Sequence, residues 1–173
     1  MERLRSRIRA WTTFLIVGLV ASGATALPIP TEVAAGAAAL GEDMRAGDRV
    51  PDDMAAWLRT IRAGVRATSS QAPFMFYGTD WLAFGHFFIA LMFVGAWRDP
   101  VRNRWLFQSA MIGCAAVPVW AMVFGHLRGI PFWWRLIDSA FGVVGFIPAW
   151  LCHRWSGALM RLQAADREAS SAA

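Results

Sequence analysis

The chain contains no lysine and has few of the residues that build metal sites or catalytic groups. Only two cysteines and three histidines occur among 173 residues, and they are not spaced like the ligands of a zinc or iron–sulfur site. The motifs of serine hydrolases, zinc proteases, phosphate-binding loops and thiol-redox enzymes are also absent. We therefore predict no cofactor and no metal, and no recognisable motif supports an enzymatic activity.

Charged residues are also scarce, at 17% of the chain, whereas an average soluble domain has about 25%. Hydrophobic residues make up 57% and are concentrated in four blocks. Each block approaches the roughly 20 residues that cross a bilayer as a helix. The composition predicts an all-α polytopic membrane protein with four transmembrane helices and little chain left for a soluble domain.

The blocks and the polar segments between them define the expected organisation. The predicted parts are a basic N-terminus (1–10), a first transmembrane helix (11–30), a periplasmic segment (31–73) with an amphipathic helix at 51–68, a three-helix transmembrane core (74–155) and a polar tail (156–173) that ends in disorder. The first block is alternatively a signal peptide, because Ala24-Thr25-Ala26 resembles a cleavage site. The apolar run continues to Ile29, which favours a retained helix.

Prolines and glycines predict where the core helices begin, bend and end. The three spans are expected at about 74–97, 105–125 and 132–152. Asp99 and Pro100 are expected to start the second of these spans as its cap and first residue. Pro118 should bend that span, and Gly129 should terminate it.

The predicted amphipathic helix carries two stripes with different chemistry. The apolar stripe is Met54, Leu58, Ile61 and Val65, and the basic stripe is Arg59, Arg62 and Arg66. A helix with this pattern either lies on the membrane surface or packs against its own domain.

The distribution of arginine predicts the orientation of the chain in the membrane. The N-terminus, the loop after Trp97 and the tail together hold ten arginines and four acidic residues, and the remaining segments hold seven arginines and eight acidic residues. By the positive-inside rule both termini are cytoplasmic. Because membrane topology explains the positive net charge of the chain, we expect no nucleic acid as a partner. The expected partners are membrane lipid and other membrane subunits.

Ionisable residues inside the apolar blocks are costly in a bilayer, so they form the candidate site. Its members are Asp80, His86, Arg128, Arg135 and Asp138. Counted at about 1.5 Å per residue, all except His86 lie in the outer third of the membrane. One interpretation is an ion-pair network between helices, in which Arg135 and Asp138 can also pair within one helix. The other is an outward-facing pocket that binds an anionic head group or carboxylate and handles a proton or a cation.

His86 lies deeper than the other members. A hydrogen bond between helices is its structural interpretation, and a proton path with Asp80 is the functional one. Haem ligation by two histidines is disfavoured, because His126 lies about 15 Å nearer the outside and His153 lies on the other face.

Two short motifs each have a structural and a binding interpretation. The stripe Ser139, Gly142 and Gly145 predicts close approach between helices rather than access for a ligand. The basic loop at 98–104 either contacts anionic lipid or simply follows the positive-inside rule.

Three segments, FYGTDWLAFGHFFIA, RDPVRN and RGIPFWWRLIDSAFG, resemble a family of small bacterial four-helix integral membrane proteins of uncharacterised function. The resemblance covers about residues 74–155 and, more loosely, the first span with ASGATALP. It implies a bacterial inner-membrane protein, and it supplies no activity, substrate or cofactor.

The function that fits these features best is a non-enzymatic accessory, scaffold or lipid- or small-ligand-binding membrane protein. The alternative is a small transport or proton-coupled redox subunit that uses the candidate cluster. A membrane enzyme acting on lipids is a third, less well supported class.

Overall fold

The computed structural model describes residues 1–41, 43–47 and 49–171, and these residues form helices and turns without a strand. The all-helical class predicted from the sequence is therefore confirmed. The helices are α1 (Glu2–Thr25), α2 (Ile29–Leu40), α3 (Asp52–Gln71), α4 (Tyr77–Arg98), α5 (Arg104–Leu127) and α6 (Phe132–Ser171), and a short 3₁₀ helix (Pro73–Phe76) precedes α4.

Among the described residues, four helices are long and apolar enough to cross a membrane, as the four blocks predicted: α1, α4 with its preceding 3₁₀ helix, α5 and α6. Within the protein, only 6% of the most apolar window of α5 is buried, and 17–22% of the corresponding windows of the other three. The apolar side chains of these helices are thus mostly on the outside.

The chain divides into two compact units. The terminal unit consists of Met1–Leu19 and Phe88–Ala173, and the central unit consists of Val20–Phe87. The core of the terminal unit draws on α1, α4, α5 and α6. Its buried members are Ile8, Phe93, Ala96, Leu106, Phe107, Cys152 and Leu159.

Helices α5 and α6 pack closely at two glycines of α6, Gly142 and Gly145. A Cβ atom on Gly142 would lie 2.5 Å from the carbonyl oxygen of Cys114, and one on Gly145 would lie 2.9 Å from the Cys114 sulfur. The expected close approach at this glycine stripe is confirmed. Pro118 lies four residues after Cys114, so it cannot supply the N–H that this carbonyl would accept in a regular helix.

The turn between α5 and α6 is fixed by Gly129, as the sequence predicted. Gly129 has φ of +71°, a conformation that glycine adopts without a steric cost. Its N–H donates to the carbonyl of His126 (3.1 Å), and the N–H of Ile130 donates to the carbonyl of Gly125 (2.9 Å). These two bonds form a Schellman motif, which satisfies carbonyls at the end of α5.

The loop between α4 and α5 differs from the prediction. Helix α5 begins at Arg104, so Asp99 and Pro100 do not start it. The Asp99 carboxylate instead accepts the N–H of Arg102 (3.0 Å) within the turn. The Asn103 amide donates to the carbonyls of Gly95 (3.1 Å) and Asp99 (3.0 Å), so that it caps the end of α4.

The last helix is longer than expected. The sequence placed the end of the fourth span near Cys152 and a disordered end in the tail, whereas α6 continues as one helix of 40 residues to Ser171. The last two residues of the tail lie outside the described residues. The continuation is held in place because Leu159 is fully buried in the core of the terminal unit.

In the central unit, α2 packs on α3, and α3 covers almost all of the predicted amphipathic helix. Two described residues of the loop between them contact α3: Arg45 forms an ion pair with Asp52 (2.5 Å), and the carbonyl of Asp43 accepts a hydrogen bond from Arg59 (2.8 Å). Arg62, expected on the basic stripe, is only 9% exposed.

Candidate functional site

Arg135 lies near the start of α6 and turns toward α5. Its guanidinium donates to the carbonyl of Met122 (3.3 Å) and lies 5.4 Å from the centre of the Phe132 ring. Its aliphatic stem fills the space above Gly125, where a Cβ atom would lie 2.6 Å from the Arg135 Cδ. Because Gly125 has no side chain, the Arg135 stem can pack against α5 at this position.

The Nε atom of Arg135 is buried and has no hydrogen-bond partner among the described residues. Burial of a donor without a partner costs about 1–3 kcal/mol. Arg135 thus retains a donor that no described residue satisfies, and its stem contributes packing between α5 and α6.

Asp138 lies one turn further along α6 and faces a shallow groove between α5 and α6. The groove has a volume of about 350 Å³ and is otherwise lined by small and apolar residues: Gly113, Ala116, Val117, Trp120 and Ala121. Within the described part of the chain Asp138 makes no ion pair, so the pair with Arg135 that their spacing in α6 allows is absent there. The reason is the direction of the Arg135 side chain, which points to the carbonyl of Met122.

Arg128 occupies the C-terminal cap of α5, where its backbone N–H donates to the carbonyl of Phe124 (3.0 Å). Its side chain is exposed. The position suits a cation, because the C-terminal end of a helix carries partial negative charge. This interaction with the end of α5 explains the position of Arg128, and no contact with the other candidate residues is needed.

Asp80 and His86 lie on α4 in the central unit. Asp80 is exposed and belongs to the first turn of α4, where a carboxylate interacts favourably with the positive end of the helix dipole. The Nδ1 atom of His86 lies 2.8 Å from the carbonyl of Leu82, so this hydrogen bond is within α4. The structural interpretation of His86 had placed its hydrogen bond between helices.

The five predicted residues thus belong to two units. Arg128, Arg135 and Asp138 are in the terminal unit, and Asp80 and His86 are in the central unit. A single cluster of all five stays a prediction.

A polar contact that the sequence does not indicate lies at the other end of α5 and α6. The Nε of Arg104 donates to the carbonyl of His153 (3.2 Å), and its terminal nitrogen lies 2.7 Å from the His153 Nε2. Because arginine only donates, the histidine nitrogen accepts. Gly157 leaves room for this guanidinium, since a Cβ atom there would lie 3.2 Å from it.

A second missed contact joins α1 to α6. Thr12 is fully buried, and its hydroxyl donates to the carbonyl of Ile8 (2.8 Å). The Cys152 sulfur lies 3.8 Å from that hydroxyl and 3.7 Å from the same carbonyl. These polar groups pair inside the core, which fixes the position of α1 along α6 in the terminal unit.

A cavity of about 510 Å³ lies in the central unit between α2 and α3. Its apolar wall includes Val33, Ala37 and Val65, and its polar wall includes Arg66 and Ser69. Such a mixture of surfaces suits an amphipathic ligand with an anionic group.

Comparison of the chain with protein-family models, with curated proteins and with solved structures finds no match. The function therefore has to be inferred from the residues of this chain, and the resemblance to a family of bacterial membrane proteins stays a prediction.

Proposed function

We propose that the chain is an integral protein of the bacterial inner membrane, with four spans and both termini in the cytoplasm, and that it acts by binding rather than by catalysis. Its role is that of an accessory or scaffold protein that holds lipid, a small ligand or the helices of another subunit. One observation carries the proposal: large apolar side chains cover the outside of the long helices.

The helices of the terminal unit expose many large apolar side chains, and contact of so much apolar surface with water is unfavourable. Leu91 on α4, Trp120 on α5 and Phe141 on α6 are 65%, 66% and 68% exposed. Full burial of one such side chain is worth about 1.5–3 kcal/mol. Soluble monomers rarely expose apolar patches beyond a few hundred Å². Lipid chains or apposed helices are the surroundings that cover these faces.

The placement of arginine and tryptophan supports the orientation. The Arg9 guanidinium lies 4.8 Å from the centre of a Trp97 ring, and the Arg154 guanidinium lies 5.5 Å from that of Trp150. Tryptophan rings are typical of the membrane interface, and arginines are typical of its cytoplasmic side. Both pairs lie in segments that the sequence assigns to that side.

A second candidate function, a small transport or proton-coupled subunit, is favoured by the position of Asp138. A carboxylate in an apolar groove between two helices can exchange a proton or meet a cation. In this function Asp138 would be essential, whereas a scaffold would tolerate Asp138→Asn.

The orientation can be tested by labelling with a membrane-impermeant maleimide. Cys114→Ala and Cys152→Ala remove both native cysteines, and Ser69→Cys or Ser170→Cys then adds one exposed thiol at a time. We expect intact spheroplasts to be labelled through Ser69→Cys and not through Ser170→Cys, which should react only after permeabilisation. The reverse pattern, or extraction of the protein by alkaline carbonate, would overturn the proposed topology.

The binding role can be tested by native mass spectrometry of the protein in a mild detergent, with an absorption spectrum of the same sample. A reproducible lipid, small-ligand or polypeptide adduct supports a binding role. A chromophore or a turnover product would contradict it and would favour the redox or enzyme alternatives.

A further inference from the structure

Four arginines converge on one cleft in the terminal unit. The cleft has a volume of about 400 Å³ and lies between the first turns of α1, the loop after α4 and the second half of α6. The arginines that line it are Arg5, Arg98, Arg102 and Arg167. We propose that this cleft is a binding site for a phosphate group, presented either by the head group of an anionic lipid or by a soluble phosphate.

The convergence is not required by topology. The positive-inside rule places arginine near the ends of membrane helices, and it does not require side chains from separate segments to meet around a single cavity. Arg5, Arg98 and Arg167 come from three different helices, and Arg102 comes from a loop. Other arginines in the same segments, namely Arg3, Arg7 and Arg161, do not line the cleft.

Among the described residues, the lining of the cleft has four arginines and one acidic residue, so its net charge is positive. Asp99 is the one acidic residue that lines it, and its carboxylate accepts the backbone N–H of Arg102 (3.0 Å). Across the described residues, none of the four guanidinium groups makes an ion pair or a side-chain hydrogen bond. Their donors are therefore available to a ligand.

The wall of the cleft is held by hydrogen bonds and packing where it meets the loop. The Asn103 amide holds the carbonyls of Gly95 and Asp99, and Pro100 is buried against the unit. Leu159, which is fully buried, supplies the floor. A preformed wall lowers the entropy cost of binding, because the Asn103 bonds hold the backbone that carries Arg98, at the end of α4, and Arg102, in the loop.

The chemistry of the lining selects the ligand class. The planar guanidinium fork matches the oxygen atoms of phosphate, and several forks together favour a compact group with more than one oxygen available. If the proposed membrane orientation holds, the cleft lies at the cytoplasmic surface at the level of head groups. Basic side chains there contribute to the binding of anionic lipid.

The test measures binding by the purified full chain in a non-ionic detergent at low salt. The probes are dioleoylphosphatidylglycerol, dioleoylphosphatidylcholine and sodium phosphate. The cleft variant combines Arg5→Gln, Arg102→Gln and Arg167→Gln. The control variant combines Arg3→Gln, Arg7→Gln and Arg161→Gln, which removes the same number of charges from α1 and α6 outside the cleft.

We expect the wild type and the control variant to bind phosphatidylglycerol alike, and the cleft variant to bind it about tenfold more weakly or worse. Added sodium chloride should weaken binding by the wild type. If phosphate competes for the same arginines as effectively as the lipid, a soluble phosphate is the ligand. If phosphatidylglycerol alone shows this dependence, a lipid head group is the ligand.

Equal binding by the wild type, control and cleft variants would overturn the proposal, as would equal affinity for phosphatidylcholine. Should the triple variant fail to fold, Arg167→Gln alone, on an exposed part of α6, should still weaken binding several-fold. Since the assay is done in detergent, its failure is distinguishable from failure of the proposed topology, which the maleimide labelling tests separately.

Discussion

Gly142 of α6 lies directly against the carbonyl oxygen of Cys114 in α5, the carbonyl that Pro118 leaves without its helical donor. A Cβ atom at Gly142 would lie 2.5 Å from that oxygen and 3.1 Å from the Pro118 Cδ. The proline and the glycine thus act together. The proline removes the N–H that would bond this carbonyl within α5, and the glycine leaves room for the carbonyl beside the α6 backbone.

Gly142→Ala should therefore destabilise the protein, because the methyl group meets backbone and ring atoms rather than a flexible side chain. We expect a loss of about 1–3 kcal/mol, the usual cost of overpacking a close contact. The measurement is thermal unfolding in detergent. Gly18→Ala is the control, since a Cβ atom at Gly18 has nothing within 4 Å. An unfolding temperature of Gly142→Ala equal to that of the control would contradict the packing.

Arg104→Lys should weaken the junction of α5 and α6, although it retains the charge. Lysine cannot reach both the carbonyl and the ring nitrogen of His153 in the way that a guanidinium fork does. Loss of one bond should cost about 1–2 kcal/mol in the free energy of unfolding. Arg102→Lys, at an exposed position, should change it by less than about 0.5 kcal/mol. Equal effects of the two changes would show that only charge matters at these positions.

Leu159→Ala tests whether the continuation of α6 is part of the core. Leu159 is fully buried, whereas Leu162, one turn away, is 48% exposed. We expect Leu159→Ala to cost about 2–5 kcal/mol, as at other buried leucines, and Leu162→Ala to be nearly neutral. Chemical unfolding of both variants gives the comparison. A neutral Leu159→Ala would mean that the tail does not pack on the terminal unit.

The relation between Arg135 and Asp138 can be measured with a double-mutant cycle. Because the guanidinium contacts the carbonyl of Met122 and not the carboxylate, Arg135→Gln and Asp138→Asn should be additive to within about 0.5 kcal/mol. Unfolding free energies of both single variants and the double variant give the coupling. A coupling above about 1 kcal/mol would restore the ion-pair network as the better interpretation.

Much of the fold could be predicted from local patterns in the sequence. The four apolar helices follow from run length, and α3 follows from its apolar stripe and its acidic first turn. Gly129 was identifiable because a helix that ends before a proline commonly has glycine in the left-handed conformation. Each of these signals is contained in a few neighbouring residues.

The contacts that were missed depend on residues far apart in the chain. Nothing near Arg104 indicates that His153 will face it, and nothing near Leu159 indicates that Ile8 lies in the same core. Asp99 shows the same limit at shorter range, since Asp-Pro is compatible with both a helix start and a turn. The position of a residue along a span predicted which ionisable residues would be costly in a bilayer. It did not predict that the Arg135 side chain points to the carbonyl of Met122.

The core of the terminal unit also has a consequence for how the protein is made. Thr12 and Cys152 lie 140 residues apart in sequence and yet pack together. At about 5–20 residues per second, a ribosome takes roughly 7–30 s to synthesise that interval. During this time α1 lacks the helix on which its buried face packs. Ile8 and Thr12 therefore stay uncovered by α6 until the segment around Cys152 has been synthesised.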